Sequence, residues 1–207
     1  EHTDIGGGDF GEGKVDEAYR LVLDYTPFPG SVCGAVCMNL CMDECTRSQV
    51  DISAQIGRLG TYSVDVELPP VAVKTGKKVA VIGGGPAGLS AAWQMARDGH
   101  QVVVYEAHEA MGGKMEQVIA RSRLPHETLE LELARIERIG VKFITNFTVD
   151  KERFAAIRSE NDAVVVASGG HVTKVIPWPG HERVVKGLDF LKSVNRGENV
   201  KVGKRVI

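Results

Sequence analysis

The stretch from Lys77 to Glu106, KKVAVIGGGPAGLSAAWQMARDGHQVVVYE, restricts the fold of this chain more than any other. An apolar run, Val79 to Ile82, has the character of a doubly buried parallel strand and passes without a gap into Gly83-Gly84-Gly85-Pro86-Ala87-Gly88. Gly83 permits a tight turn, Gly85 leaves room for a pyrophosphate to approach the backbone, and Gly88 allows close packing of helix on strand. Pro86 suits a first helical turn, where no amide donor is needed. The helix carries Leu89, Ala92, Trp93 and Ala96 to a stop at Gly99, and a second strand, Val102 to Tyr105, ends at Glu106, where a ribose diol would be held. A glycine loop alone can be an ordinary turn. Here strand, helix and terminal acid agree on a dinucleotide, with its phosphates over the helix N-terminus. The motif does not choose between FAD and NAD.

The rest of the chain extends an α/β pattern. Pro125 opens a helix with Leu129, Leu133, Ile136 and Ile139 on one face and an end at Gly140; the alternation in LELELA also fits a strand, but the later spacing favours helix. Val141 to Thr145 reads as a strand, Asp150 to Ser159 as a helix, and Ala163 to Ala167 as a buried strand running into Ser168-Gly169-Gly170. Small residues after a parallel strand let a ligand meet the backbone at the sheet's carboxyl edge. Gly112-Gly113 marks a close backbone approach or a turn, and by itself the turn is favoured. The closing residues Val202 to Ile207 echo Thr75 to Ala80, the lead-in to the first strand, so a second nucleotide-binding unit is expected to begin where the chain stops. With Glu1 rather than methionine at its start, the chain reads as a piece of a longer protein.

Ahead of this unit, Gly6-Gly7-Gly8 has no preceding strand and reads as a mobile lead-in. Val15, Ala18, Leu21 and Val22 fall at helical spacing, and Pro27 and Pro29 close that helix in a turn. Pro69-Pro70 and the basic stretch beyond form a linker, dividing residues 1–70, a small helical module, from residues 71–207, a Rossmann-like domain with a parallel sheet.

The module holds all four cysteines, Cys33, Cys37, Cys41 and Cys45, each four residues from the next in CGAVCMNLCMDEC. On one regular helix they would drift round a face, whereas in a looped segment they could converge. Three readings stand. Iron and sulfide need several thiolates brought together; zinc prefers CxxC knuckles or mixed Cys and His ligands; inert core cysteines or disulfides are the bland choice.

The hydrophobic and charged fractions, 43% and 25%, are those of a soluble globular protein, and a net charge of −2 gives no field to attract nucleic acid. No apolar run approaches bilayer-spanning length and no secretory signal opens the chain, so no membrane is expected and the cytoplasm is the expected location. None of the six histidines forms a metal-binding pair at helical spacing. They read as surface or satisfied residues, and Asp24, Asp43 and Glu44 as solvated charges.

Several pieces together resemble the glutamate synthase small subunit and its relatives, among them the amino-terminal part of dihydropyrimidine dehydrogenase. These are PFPGSVCGAVCMNLCMDECTR, TGKKVAVIGGGPAGLSAA, YEAHEAMGGKM, RLP at Arg123 to Pro125, DAVVVASGG and GKRVI, in the family's order. The resemblance implies a helical module for [4Fe-4S] clusters joined to an FAD-binding domain, with a NAD(P)H-binding domain inserted beyond Ile207. It places FAD on Gly83, Gly85, Pro86, Ala87 and Gly88, its adenosine ribose on Glu106 beside Ala107, and further flavin contacts at Gly112, Gly113, Lys114, Leu124, Ala167, Ser168 and Gly169. Cys37, Cys41 and Cys45 match ligand positions best and Cys33 joins them. Ala167, Ser168 and Gly169 match a strand-end motif that is often Ala-Thr-Gly in the family, and the chain departs from the family in having no earlier cysteine group before Val15 and neither the nicotinamide domain nor the returning part of the FAD domain. The implied function is electron transfer between NAD(P)H, FAD and clusters, feeding a partner redox subunit or domain. No catalytic acid or base is expected, since a flavin supplies the chemistry. Rival readings are a structural or assembly module with bound metal and nucleotide, and a simple NAD-binding dehydrogenase domain.

Overall fold

A computed structural model describes residues 13–60, 66, 68, 71 and 73–206. The lead-in glycines Gly6 to Gly8, the boundary prolines Pro69 and Pro70, and Ile207 lie outside the described residues.

Four strands, β1 (Lys78–Ile82), β2 (Gln101–Tyr105), β3 (Lys142–Ile144) and β4 (Ala163–Val166), form one sheet in the order β3-β2-β1-β4, every pair parallel. Parallel neighbours need crossover connections. Between β1 and β2 runs α4 (Pro86–Arg97), between β2 and β3 α6 (His126–Arg138), and between β3 and β4 α7 (Lys151–Glu160). The central strand is buried at Val79, Ala80 and Val81, while β4, read from its composition as buried, is an edge strand with Val166 exposed. An apolar run fits the middle and the rim of such a sheet alike, and only strand order distinguishes them.

The helices follow their sequence signals. Asp150 caps α7 by accepting the Arg153 amide at 2.8 Å. Pro125 stands at the N-cap of α6, and Gly99 and Gly140 follow α4 and α6 with positive φ, as helix stops do. Thus LELELA is helical.

The amino-terminal elements are α1 (Val15–Tyr25), an eight-residue π-helical segment (Pro29–Val36), α2 (Leu40–Asp43), a 3-10 turn (Thr46–Gln49) and α3 (Ile56–Gly60). Pro29 therefore does more than close α1. It also opens the next helix, at a first-turn position where its missing N–H is no loss. After Gly113 comes α5 (Lys114–Gln117), and α8 (Gly187–Asn195) follows a 3-10 turn at His181–Arg183. The echo at Val202 to Val206 forms no strand among the described residues.

The core is continuous across these elements. Val79, Val81, Val102 and Val104 of the sheet pack with Leu89, Ala92 and Trp93 of α4, with Leu124, Leu129 and Ile136, and with Tyr19, Leu23 and Phe28. Trp93 is fully buried, so its indole N–H needs a partner, and it donates to the Leu23 carbonyl at 2.8 Å. Arg97 reaches the same carbonyl at 3.0 Å and pairs with Asp24, while Gln94 donates to the Asp24 carbonyl at 2.8 Å. Carbonyls left over at the end of α1 are thus satisfied by side chains of α4.

Candidate functional site at the carboxyl edge of the sheet

The glycine loop lies where β1 ends. Gly83 has φ +111°, and a Cβ there would overlap the carbonyl of Ala167, which crosses it from the end of β4. A Cβ on Gly88 would overlap the carbonyl of Gly83 and stand 3.1 Å from Val81, so α4 is held against β1 at a distance only glycine allows. Gly85 differs. It is the N-cap of α4 in extended conformation, and the nearest atom to a Cβ there would be the Cα of Gly113 at 3.9 Å, which leaves a cradle that any side chain would fill. No side chain caps α4, and Pro86 and Ala87 are exposed in its first turn. The free amides and the helix dipole favour an anion there.

Gly112-Gly113 is more than a turn. The Gly112 amide donates to the Gly84 carbonyl at 2.7 Å, and a Cβ on Gly113, at φ +55°, would approach the Gly85 Cα to 2.8 Å. Two glycine pairs therefore lie directly on one another. Lys114 follows, exposed, its ammonium without a partner among the described residues. Ser168 and Gly169 are exposed beyond Ala167. Leu124 is fully buried in the core rather than at this surface.

Glu106 is 6% exposed, and its carboxylate is nearly saturated. One oxygen accepts the Gly84 amide at 2.7 Å; the other accepts the His108 amide at 2.9 Å and contacts the His108 ring nitrogen at 2.8 Å. Burial alone would raise its pKa, but the bonds from His108 and Gly84 and the charge of His108 outweigh it and hold the carboxyl below its usual range. A carboxylate offers about four acceptor positions, so about one, on the Gly84 side, stays open to a hydroxyl. His108, read from the sequence as surface or satisfied, is satisfied by the site acid itself. A donor-bearing residue two positions after a strand-end carboxylate is the signal that could have marked it.

Beside Ala107 and His108 a cavity of about 440 Å³ opens, lined also by Gln117, Arg121, Asn146 and Lys192. None of the glycine-loop residues lines it. It adjoins the acid's side of the site, away from the phosphate cradle.

The cysteines are spread over different elements. Cys33 lies half-buried in the π-helical segment, Cys37 exposed at its end, Cys41 exposed in α2 and Cys45 half-buried before the 3-10 turn; all are free thiols. Burial, then the neighbouring Cys37 and Cys41, push the Cys33 thiol up. Cys45 is turned elsewhere, its thiol lowered by amides of Ala54, Arg47 and Ser48. Asn39, in left-handed conformation, breaks the run between Cys37 and α2. Among the described residues no three His, Cys, Asp or Glu side chains gather as a metal site. The thiol chemistry suits iron and sulfide, whereas this arrangement of the thiols does not yet form a cage.

Residues 77–207 match the model of the pyridine nucleotide-disulphide oxidoreductases. The chain belongs to this family. Within the wider family, it is 34% identical over 211 residues to the NADPH-Fe(3+) oxidoreductase subunit beta of Geobacter sulfurreducens, a match covering 95% of this chain and 31% of that protein. It is 37% identical over 154 residues to the NAD-dependent dihydropyrimidine dehydrogenase subunit PreT of Escherichia coli O157:H7, covering 71% of this chain and 37% of that one. It is also 34% identical over 181 residues to the glutamate synthase [NADH] of Schizosaccharomyces pombe, covering 82% of this chain and 8% of the other. These relatives bear out the resemblance to glutamate synthase and dihydropyrimidine dehydrogenase proteins. The chain spans about a third of the length of the first two. No helix among the described residues is long and apolar enough to cross a membrane.

Proposed function

We propose that this chain is the flavin-binding part of a NAD(P)H-dependent oxidoreductase that passes electrons to a partner redox subunit or domain in the cytoplasm. The observation that carries the reading is the cradle at Gly85, an uncapped helix start with no atom nearer to an added Cβ than 3.9 Å, in a chain of this family. FAD fits it as follows. The pyrophosphate lies against Gly83, Gly85 and the first turn of α4 with Pro86, Ala87 and Gly88, and the adenosine ribose meets the open acceptor of Glu106 beside Ala107. Gly112, Gly113 and Lys114, with Ala167, Ser168 and Gly169, border the same groove. Leu124 supports it from the core. When bound, the flavin supplies the exchange between two-electron nicotinamide and one-electron carriers. The chain's own residues bind and orient it.

In this reading residues 71–207 are the FAD-binding unit and residues 1–70 an iron-sulfur module. Cys33, Cys37, Cys41 and Cys45 serve as thiolates of a [4Fe-4S] cluster once drawn together, and the nicotinamide nucleotide binds in a domain beyond residue 207. The names of the relatives, subunits among them, support a partner.

The test is anaerobic purification of the full-length protein, followed by its visible spectrum, its iron content and identification of the nucleotide released on denaturation. Flavin and iron are expected. In Gly85→Ala, which disturbs no neighbour, flavin affinity should fall at least about tenfold with the fold intact; unchanged flavin retention would place the nucleotide elsewhere, and released NAD in place of FAD would overturn the flavin reading.

A further inference from the structure

The π-helical segment carrying Cys33 and ending at Cys37 has backbone groups at both of its ends satisfied from the far side of the chain. At its start Pro29 has no N–H, the Val32 amide donates to the Phe28 carbonyl at 3.0 Å, and the amides of Gly30 and Ser31 donate to the two carboxylate oxygens of Glu132 at 2.7 and 3.1 Å. At its end the carbonyls of Ala35 and Val36 accept from the Arg123 guanidinium at 3.3 and 2.9 Å. The acid thus stands at the amide end and the base at the carbonyl end, the arrangement the helix dipole favours.

We propose that Glu132 and Arg123 are positioning residues, a two-point clamp that fixes the cysteine-bearing segment on the nucleotide-binding unit and sets where its thiols stand.

Three observations carry this. Glu132 is 1% exposed, on the α6 face that also carries Leu129 and Ile136 into the core, so its carboxylate cannot turn to water. A buried carboxylate must keep its donors, and the segment supplies them from the Gly30 and Ser31 amides, with the Ser31 hydroxyl beside them. Close approach is built in, because a Cβ on Gly30 would stand 3.0 Å from Thr128 and 3.2 Å from Glu132, leaving no slack between α6 and the segment. Arg123 precedes Leu124, which is fully buried, and Pro125, the N-cap of α6, so its backbone is anchored in the core while its side chain reaches the carbonyls. Both clamp residues belong to the unit that carries the glycine loop. A shift of the segment relative to that loop has to break charge-assisted bonds at one end or the other.

What the thiols then do rests on the redox reading above, but the clamp does not, and its test needs neither iron nor flavin. Backbone hydrogen exchange and the rate of Cys33 alkylation are measured on the full chain, wild type beside Arg123→Ala and Glu132→Gln. Arg123 is exposed, so its variant folds even if the Glu132 variant does not. Exchange at residues 30–37 and Cys33 alkylation should each quicken at least about tenfold in Arg123→Ala, the loss of one to two charged hydrogen bonds, with amides of β1 and α4 unchanged. Glu132→Gln should have a larger effect at Gly30 and Ser31, since an amide offers one acceptor where the carboxylate offers two. Wild-type exchange at residues 30–37 in Arg123→Ala would overturn the clamp, as would equal loosening of β1 and α4, which would mean general destabilisation. Normal iron and flavin in a variant with fast exchange would leave the clamp standing and tell against the cysteines as cluster ligands.

Discussion

At the start of α4 the amide donors are left without side-chain caps, and Gly85 keeps the space above them open. At the start of the π-helical segment each donor is taken: Glu132 holds two, Phe28 a third, and Pro29 has none. These are two helix beginnings in one chain with opposite treatment of the same orphan groups. Uncapped donors beside an open cradle suit a ligand, whereas capped donors tie a segment into the protein. The cost of an unsatisfied amide is bearable where solvent or a phosphate reaches it and not where a core presses on it.

That contrast can be broken most severely at Gly88. Its missing Cβ lets the capless helix rest on β1, and Gly88→Ala should lose at least about 3 kcal/mol, because the clash is with backbone that cannot turn aside. The urea midpoint measures it, and a loss below about 1 kcal/mol would show that α4 can slide. Trp93→Phe comes next. It removes buried volume and the bond to the Leu23 carbonyl, which keeps Arg97, so about 1–3 kcal/mol should be lost, with α1 becoming the first site of proteolysis.

Glu106→Gln tests the ligand side through pH. In the folded protein the carboxyl is held below its usual range, so the native state binds fewer protons than the unfolded chain. Its contribution is therefore full above the unfolded pKa of about 4.3 and is lost as the pH falls through the lower folded value. Wild type should lose stability over that acid window more steeply than Glu106→Gln; parallel curves from pH 6 to 2 would mean the His108 and Gly84 contacts do not hold the charge. The smallest effect belongs to Arg47→Ala in the cysteine region. Its pair with Asp51 is exposed on both sides, and little or no loss is expected in the same urea assay. A larger loss would show that local pairs, and not only the distant residues Glu132 and Arg123, hold that region.

Much of the site was legible in the sequence because its signals are local. Strand, Gly83 to Gly88, helix and Glu106 follow within thirty residues, and two of the glycines answer to local geometry, Gly83 with its positive φ and Gly88 with its close approach to Val81 and Gly83. Gly112-Gly113 was not, because a turn and a close approach look alike until Gly84-Gly85 is known to lie beneath. Leu124, placed beside the flavin by the resemblance, has its side chain fully buried, a burial set by what packs against it rather than by the motif around it.

By itself the sequence determined the order of strands and helices, the α/β class and the glycine cradle, since periodicity, proline, glycine and capping act over one or two turns of chain. Only the tertiary structure decided the sheet order that left β4 at the rim, the pairing of His108 with Glu106, and the reach of Glu132 and Arg123 across about ninety to a hundred residues to the cysteine segment. Periodicity shows that Glu132 shares a face with Leu129 and Ile136, but which amides would meet a charge buried there depends on what packs against that face, and packing is settled by the whole chain at once.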